Sequence, residues 1–178
     1  MTEEIIITGF GGQGVLSMGK ILAYSGLMQG LEVTWMPSYG PEIRGGTANA
    51  MVILSDSPIS SPILQNFSTA IILSQQAMDK FESRVNPGGL LLYTPGTITR
   101  VPTRKDIQIY AIPAIEEAIK MNAPKVANMF LLGAYLKLHN ILKLEYVLEG
   151  IKHSVSERNW KYIPLNEKAL KAGMELVK

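Results

Sequence analysis

The chain has 178 residues, a formal net charge of +2 and no cysteine, so it forms no disulfide and holds no thiolate nucleophile, cysteine-ligated zinc or thiolate-bound iron–sulfur cluster by itself. The small net charge argues against a nucleic-acid-binding protein. The longest apolar runs fall far short of the roughly 20 residues of a membrane span, and the N-terminus has no basic or long apolar leader, so we expect a cytoplasmic protein without membrane contacts.

Strands and helices alternate in the first two thirds of the chain. A β-branched run predicts a strand over 5–8, helical spacing follows from Val15 to a stop at Gly30, and a second strand over 32–36 ends at Pro37. This strand–helix–strand unit predicts the opening of a parallel sheet. The remaining elements of this part are a loop over 37–46, strands over 48–54 and 70–73, a helix over 76–85, a turn over 86–89, and strands over 90–93 and 107–112.

Helical patterns occupy the last third of the chain. They cover 114–120, 125–139, 144–155 and 165–177. The sequence contains no internal repeat or long linker, so residues 1–178 are expected to form a single α/β domain. We expect five or six mostly parallel strands with helices on both faces and a helical C-terminal part.

The first candidate site is the glycine motif at 9–14, which follows a predicted strand and opens a predicted helix. Its Gly9, Gly11 and Gly14 fit the pattern G-x-G-x-x-G, and the candidate binding residues are Gly11, Gly12, Gln13 and Gly14. Backbone N–H groups at such a turn can bind an anion at the positive end of the helix dipole. Three interpretations stay open at this point: phosphate or pyrophosphate binding, contact with a partner chain, and glycines that only permit a tight turn.

The second candidate site is the loop after the second strand. It contains Ser38, Tyr39, Glu42, Arg44, Gly45 and Gly46. A guanidinium beside two glycines suits a carboxylate or phosphate ligand, and a solvated loop with an internal Glu42–Arg44 contact is the alternative. Because parallel strands bring their carboxyl ends to one sheet edge, both loops are expected at that edge.

A dinucleotide-binding site is disfavoured by the second strand. Such a site places an acid at the end of that strand to hold the ribose hydroxyls, and here the strand ends Trp35-Met36-Pro37. Binding of NADP would rest on Arg44 alone. The sequence contains no recognisable nucleophile–base set, carboxylate pair or metal-ligand spacing, so no catalytic residues are assigned.

Four segments in order resemble the gamma subunit of 2-oxoacid:ferredoxin oxidoreductases. They are Gly-Phe-Gly-Gly-Gln-Gly-Val-Leu at 9–16, Pro-Ser-Tyr-Gly-Pro-Glu-Ile-Arg-Gly-Gly-Thr-Ala-Asn at 37–49, Asn-Pro-Gly-Gly-Leu at 86–90 and Ala-Asn-Met-Phe-Leu-Leu-Gly at 127–133. The pattern is most similar to the 2-oxoglutarate type. Pyruvate, branched-chain 2-oxoacid and indolepyruvate relatives share the domain.

The resemblance implies a Rossmann-like, three-layer α/β/α domain in a hetero-oligomeric enzyme. That enzyme oxidatively decarboxylates a 2-oxoacid, forms an acyl-CoA from coenzyme A and reduces ferredoxin. The resemblance places thiamine diphosphate in the alpha and beta partner chains, and the iron–sulfur clusters in the beta chain or a ferredoxin-like delta chain. This chain is then structural, contributes the two loops to the coenzyme A site and is inactive alone. The alternatives are a free-standing NAD(P)-binding domain and an assembly scaffold without ligand contacts.

Overall fold

The computed structural model describes residues 1–41 and 46–177. Its strands are β1 (Thr2–Phe10), β2 (Glu32–Tyr39), β3 (Thr47–Ser55), β4 (Phe67–Ile72), β5 (Val85–Tyr93) and β6 (Gln108–Ala111). Its α-helices are α1 (Val15–Gln29), α2 (Gln75–Phe81), α3 (Ala114–Lys120), α4 (Ala127–Leu138), α5 (Leu144–Ser154) and α6 (Ile163–Glu175). None of the helices in these ranges is long and apolar enough to cross a bilayer.

The six strands form one sheet in the order β2-β3-β1-β4-β5-β6. The pairs β1–β4, β4–β5 and β5–β6 are parallel, whereas β3 is antiparallel to both β1 and β2. Five strands therefore run in one direction, which confirms the expected mostly parallel sheet.

The arrangement of β1 and β2 differs from the simple strand–helix–strand unit expected from the sequence. These strands run in the same direction, but β3 lies between them. The connection from β2 to β3 is short enough for a hairpin, which pairs neighbouring strands in opposite directions without a crossover. The nearly continuous burial of β3 from Val52 to Ser55 fits its interior position, whereas the last four residues of β2 are exposed at the sheet edge.

Strand β2 is longer than the sequence predicted. Pro37, Ser38 and Tyr39 were expected to begin a loop, but they pair with Ala50, Asn49 and Ala48 of β3. A proline removes one backbone donor, which an edge strand tolerates because one side of its backbone has no neighbour. The prediction that Pro37 ends the strand is therefore wrong.

The predicted turn at 86–89 is a bulge at the start of β5. Val85 pairs with Phe67, and the next pair is Leu90 with Thr69, so the ladder shifts across the residues in between. Within this segment the Gly88 N–H donates to the Asp106 carbonyl at 2.7 Å. The turn prediction therefore found the right position for the irregularity, but β5 continues through it instead of starting after it.

Helices and loops cover the two faces of the sheet unequally. On one face, Ile5 and Ile7 of β1 share a large core with residues of α1, α3, α4, α5 and α6. On the other, Ile6 shares a smaller core with Met78 and Phe81 of α2, closed by the connecting segments on either side of it. This arrangement confirms the three-layer α/β/α architecture.

Glu82, just after α2, holds the segment before β6 against the smaller layer. This buried carboxylate accepts hydrogen bonds from the Thr103 N–H at 2.7 Å and from the Arg100 guanidinium at 2.9 Å. Burial alone would raise the pKa of Glu82, but the Thr103 amide and the Arg100 charge outweigh it and lower the pKa below its ordinary value of 4.5. The charged form of Glu82 is therefore favoured in the folded chain.

We expect Glu82→Gln to lower the free energy of unfolding at pH 7 by roughly 1–3 kcal/mol, because it replaces a buried, charged acceptor of several hydrogen bonds with a neutral one. A lowered folded-state pKa adds stability that is complete above the unfolded-state pKa and is lost as pH falls through the folded-state value. The variant should therefore lose less stability than the parent below about pH 4.5. Urea unfolding from pH 3 to 7 measures both effects, and parallel pH profiles for the two proteins would contradict this role of Glu82.

Candidate functional site

The glycine loop between β1 and α1 presents backbone donors at the carboxyl edge of the sheet. Helix α1 begins after Gly14, and its first intrahelical bond runs from the Met18 N–H to the Gly14 carbonyl at 3.0 Å. The N–H groups of the first helical turn have no such partners, because an α-helix leaves its first four donors unsatisfied. Combined with the helix dipole, these donors favour an anion at this end of α1.

Gln13 uses its side chain inside the protein. Its Oε1 accepts from the Phe10 N–H at 2.7 Å, and its Nε2 donates to the Leu73 carbonyl at 3.0 Å. The side chain therefore ties the end of β1 to the residue after β4. Because both ends of its side-chain amide bind other parts of the protein, Gln13 positions the loop. Only its backbone is available to contact a ligand.

Gly14 packs against Asn128 in the first turn of α4. The Asn128 Nδ2 donates to the Gly14 carbonyl at 3.4 Å, and a Cβ at position 14 would lie 2.7 Å from the Asn128 Cγ. Only 8% of Asn128 is exposed. The start of α4 thus touches the start of α1 through a contact that has no room for a side chain at position 14.

The two glycine-rich loops meet at one sheet edge, as the sequence predicted. The Gly11 N–H donates to the Gly46 carbonyl at 3.0 Å, and the Gly40 N–H donates to the Thr47 carbonyl at 2.6 Å. These bonds close the β2–β3 hairpin and dock its second arm on the glycine loop. Glu42, Arg44 and Gly45 lie outside the residues that the structure describes.

Ser38 and Tyr39 do not lie on the same face of the sheet, because successive strand residues point to opposite faces. Ser38 belongs to a polar row with Asn49 and Thr8, in which the Thr8 hydroxyl donates to the Asn49 Oδ1 at 2.6 Å and the Asn49 Nδ2 to the Ser38 Oγ at 3.5 Å. Tyr39, 71% exposed, lines a cavity of about 260 Å³ with the glycine loop and the first turn of α1.

A second cavity, of about 170 Å³, lies on the other side of the glycine loop. Its lining includes Gly12, Gln13, Leu73, Thr94, Lys125 and Asn128. It opens between β1 and β4, whose following helices cover opposite faces of the sheet. This crevice at the topological switch point is where open α/β sheets bind ligands.

Three residues of this crevice escaped the site assigned from the sequence. Thr94 follows β5. Lys125 lies in the short 3-10 turn just before α4 and Asn128 in the first turn of α4, both more than a hundred residues from the glycine motif. The apolar helix predicted over 125–139 could have indicated Lys125 and Asn128, because a long helix packed on a parallel sheet brings its N-terminus to the carboxyl edge. The sequence did not show which strand that N-terminus would adjoin.

The arrangement suits an anionic ligand and offers no catalytic set. Of the described residues that line the two cavities, only Lys125 carries a charge, and the remaining polar groups are amides and hydroxyls. A nicotinamide dinucleotide fits poorly, because β3 separates β1 from β2 and moves the end of β2 one strand away from the glycine loop. The geometry thus favours phosphate binding over dinucleotide oxidation–reduction chemistry.

Comparison with known proteins identifies the family. The model of the pyruvate ferredoxin/flavodoxin oxidoreductase family matches residues 4–176, nearly the whole chain. The chain belongs to this family. The 2-oxoglutarate synthase subunit KorC of Methanocaldococcus jannaschii is 37% identical over 161 residues, which cover 87% of this chain and 84% of that protein.

Some relatives carry the domain within a longer polypeptide. The ketoisovalerate oxidoreductase subunit VorA of Methanothermobacter thermautotrophicus is 36% identical over 173 residues, covering 97% of this chain. This chain spans only 36% of the length of VorA. Homologous domains in this family thus occur both as short subunits and within larger chains.

Solved structures share the fold. The keto/oxoacid ferredoxin oxidoreductase gamma subunit of Geobacter sulfurreducens superposes with a TM-score of 0.85 at 30% identity, covering 99% of this chain and 96% of that one. The 2-oxoglutarate:ferredoxin oxidoreductase of Magnetococcus marinus, solved with 2-oxoglutarate, coenzyme A and succinyl-CoA bound, gives a TM-score of 0.88. That match covers 98% of this chain and 31% of the other at 24% identity, so it concerns the fold alone.

Proposed function

We propose that this chain is the gamma subunit of a 2-oxoacid:ferredoxin oxidoreductase and helps to form its coenzyme A site. Its partners in this proposal are the alpha and beta subunits, with a delta subunit in some assemblies, in the cytoplasm. Thiamine diphosphate and the iron–sulfur clusters belong to those partners. The absence of cysteine supports this division, because the chain has no thiolate with which to hold a cluster.

The proposed reaction oxidises a 2-oxoacid and releases its carboxylate as CO2. One 2-oxoacid anion, one coenzyme A thiol and two oxidised ferredoxins give one acyl-CoA, one CO2, two reduced ferredoxins and one proton. Thiamine diphosphate, when bound to the partner chains, supplies the carbanion chemistry at the oxo carbon. The role of the gamma chain is to bind and orient coenzyme A and to exclude water from the reacting centre.

The contact between Gly11 and Gly46 carries this proposal. It brings the glycine loop to Gly46, two residues after Arg44 in the sequence, and the proposal assigns the Arg44 guanidinium and the backbone donors of the glycine loop to the same ligand. Coenzyme A contains a pyrophosphate and a 3′-phosphate, which are ligands for backbone amides, a helix N-terminus and guanidinium or ammonium groups. Lys125 lies in the adjoining crevice, where it adds a positive charge.

The substrate in this proposal is 2-oxoglutarate. The relative named for 2-oxoglutarate synthesis matches this chain over most of both lengths, as expected for separate subunits of the same type. The ketoisovalerate relative is about equally identical but carries the domain in a longer chain. Residues of this chain are not expected to select the 2-oxoacid, because the reacting oxo carbon is bound by the partner subunits.

We expect Arg44→Ala in the assembled enzyme to raise the KM for coenzyme A about tenfold, with little change in the KM for the 2-oxoacid. Loss of one charge-assisted hydrogen bond to a phosphate, worth about 1.5–3 kcal/mol, accounts for a change of this size. The measurement is the steady-state rate of acceptor reduction at varied coenzyme A. Lys137→Ala, an exposed cation on α4, is the control.

Two outcomes separate this function from its rivals. An Arg44→Ala enzyme with unchanged assembly and unchanged KM for coenzyme A would favour an assembly scaffold without ligand contacts. Micromolar binding of NAD or NADP to the isolated chain, measured by calorimetry, would favour a free-standing nucleotide-binding domain. Under the present proposal the isolated chain is colourless, inactive and does not bind the nicotinamide cofactors at that concentration.

A further inference from the structure

A buried acid lies at the amino end of β1, opposite the edge of the sheet that carries the glycine loop. This acid, Glu3, is only 5% exposed. Its Oε1 accepts a hydrogen bond from the Thr69 hydroxyl of β4 at 2.5 Å, and no other group of the described residues donates to its side chain. Because burial removes the water that would stabilise its charge, a carboxylate with one neutral donor is poorly compensated.

Tyr135 of α4 lies close to this acid and does not compensate its charge. The side chain is fully buried, and its hydroxyl forms no hydrogen bond with another residue that the structure describes. Burial raises the pKa of Tyr135 well above its ordinary value of 10, and the negative charge of Glu3 adds to the effect. The phenol therefore stays neutral near pH 7, and Glu3 needs a positive charge from another group.

His139 is placed to supply that charge. It caps the C-terminal end of α4, where its backbone N–H donates to the Tyr135 carbonyl at 2.8 Å. Its ring stacks on the Tyr135 ring with the centroids 5.6 Å apart, and its Nδ1 lies 3.9 Å from the Glu3 Oε2. The side chain of His139 is 36% exposed, so its ring can exchange protons with solvent. The stacking thus holds a titratable ring beside a buried acid.

The charges around His139 favour its protonated form. The titratable groups in contact with its ring are Glu3 of β1 and Tyr135 of α4, and the nearest cations along the chain, Lys137 and Lys143, are exposed. Glu3 is buried whether His139 is charged or neutral, so protonation adds an attraction without a further desolvation of the acid. The C-terminal end of an α-helix also favours a positive charge.

We propose that His139 and Glu3 form a pH-sensitive clasp between the end of α4 and the start of β1. Protonation of His139 creates an ion pair with the buried acid and holds the last turn of α4 against β1. The unfolded chain has no such contact, so the folded chain binds this proton more tightly. The stability that the clasp contributes is therefore gained as pH falls through the region near 6.5 where histidines titrate, and lost as pH rises. The clasp does not depend on the coenzyme A function.

The test is a double-mutant cycle, measured by urea unfolding of the full chain at pH 5.5 and at pH 8.0. The variants are His139→Gln, Glu3→Gln and their combination, and glutamine at position 3 keeps an oxygen that accepts from the Thr69 hydroxyl. His153→Gln is the matched control. His153 also stacks on a tyrosine, with its ring centroid 6.0 Å from that of Tyr24, but it forms no ion pair with an acid in the described part of the chain.

We expect His139→Gln to raise the unfolding equilibrium constant about fivefold more at pH 5.5 than at pH 8.0, as for a partly exposed ion pair at a helix end. In the Glu3→Gln background this dependence on pH should disappear. An effect of His139→Gln that is equal at the two pH values would overturn the clasp. An extra loss at pH 5.5 that persists without the carboxylate would also overturn it, because the helix dipole alone would then account for the loss.

A second variant, His139→Lys, tests the clasp even if Glu3→Gln fails to fold. Lysine is positive at both pH values, so the difference in unfolding free energy between His139→Lys and His139→Gln should not change with pH. Hydrogen exchange over 136–142, corrected for the intrinsic rate at each pH, should show greater protection at pH 5.5 in the parent than in His139→Gln. Equal protection in these two proteins, or an equally large effect of His153→Gln, would contradict the clasp.

Discussion

Gly133→Ala should lower the free energy of unfolding far more than any conservative surface substitution. Gly133 lies in the middle of α4, where α6 crosses it, and a Cβ at this position would lie 3.0 Å from both the Leu170 carbonyl carbon and the Met174 nitrogen, with the Leu170 oxygen closer still. These are backbone atoms, so no side-chain rotation relieves the contact. The helices must separate, and with them the core residues that they share.

The expected loss is roughly 3 kcal/mol in the free energy of unfolding, as for an overpacked core. It exceeds the gain of up to about 1 kcal/mol that alanine brings to a helix interior. Urea unfolding measures the difference, with Lys171→Ala on the exposed side of α6 as the control. A Gly133→Ala variant as stable as the parent would show that the backbones of α4 and α6 lie far enough apart at Gly133 to accept a methyl group.

Gly14→Ala should damage both the stability of the chain and its use of coenzyme A. The residue has a φ of +77°, which costs an alanine about 1–2 kcal/mol, and the new methyl would press on Asn128, whose Cγ lies 2.7 Å from the Cβ position. Relief requires the starts of α1 and α4 to move apart. Because these two helix ends border the proposed phosphate site, we expect the KM for coenzyme A to rise at least about tenfold, the loss of about 1.4 kcal/mol of binding.

Gly96→Ala separates backbone strain from contact with Asn128. Its φ is +95°, and a Cβ there would have no heavy atom within 4 Å, so only the strain remains. We expect Gly14→Ala to be the less stable of the two, and Asn128→Ala to restore part of that difference when combined with it, since contacting residues are not additive. Equal losses for Gly14→Ala and Gly96→Ala would rule out the Asn128 contact as the cause.

Local sequence patterns predicted the elements well and their neighbours less well. The β-branched run of β1 and the helical spacing after Val15 depend on residues close in the chain, and both elements form where expected. The insertion of β3 between β1 and β2 depends on pairing energies across the whole sheet, which periodicity does not encode. Pro37 misled the prediction for a related reason, since its effect depends on whether the strand lies at an edge.

The candidate site shows the same division. The sequence predicted that both loops lie at the carboxyl edge of the sheet, and the Gly11–Gly46 hydrogen bond shows that they meet there. The role of the Gln13 side chain could not follow, because its partner Leu73 is 60 residues away. Lys125 and Asn128 were hidden for the same reason: their place beside the glycine loop is set by the packing of α4 on the sheet.

The proposed role of this chain in coenzyme A binding is tested by assembling the thiamine- and cluster-binding partner subunits with and without it. The measurement is the 2-oxoglutarate-dependent reduction of ferredoxin as a function of coenzyme A concentration. We predict that acyl-CoA formation saturates with coenzyme A only when this chain is present, and that the chain alone is colourless and inactive. Equal rates and an equal KM for coenzyme A without this chain would contradict its proposed place in the coenzyme A site.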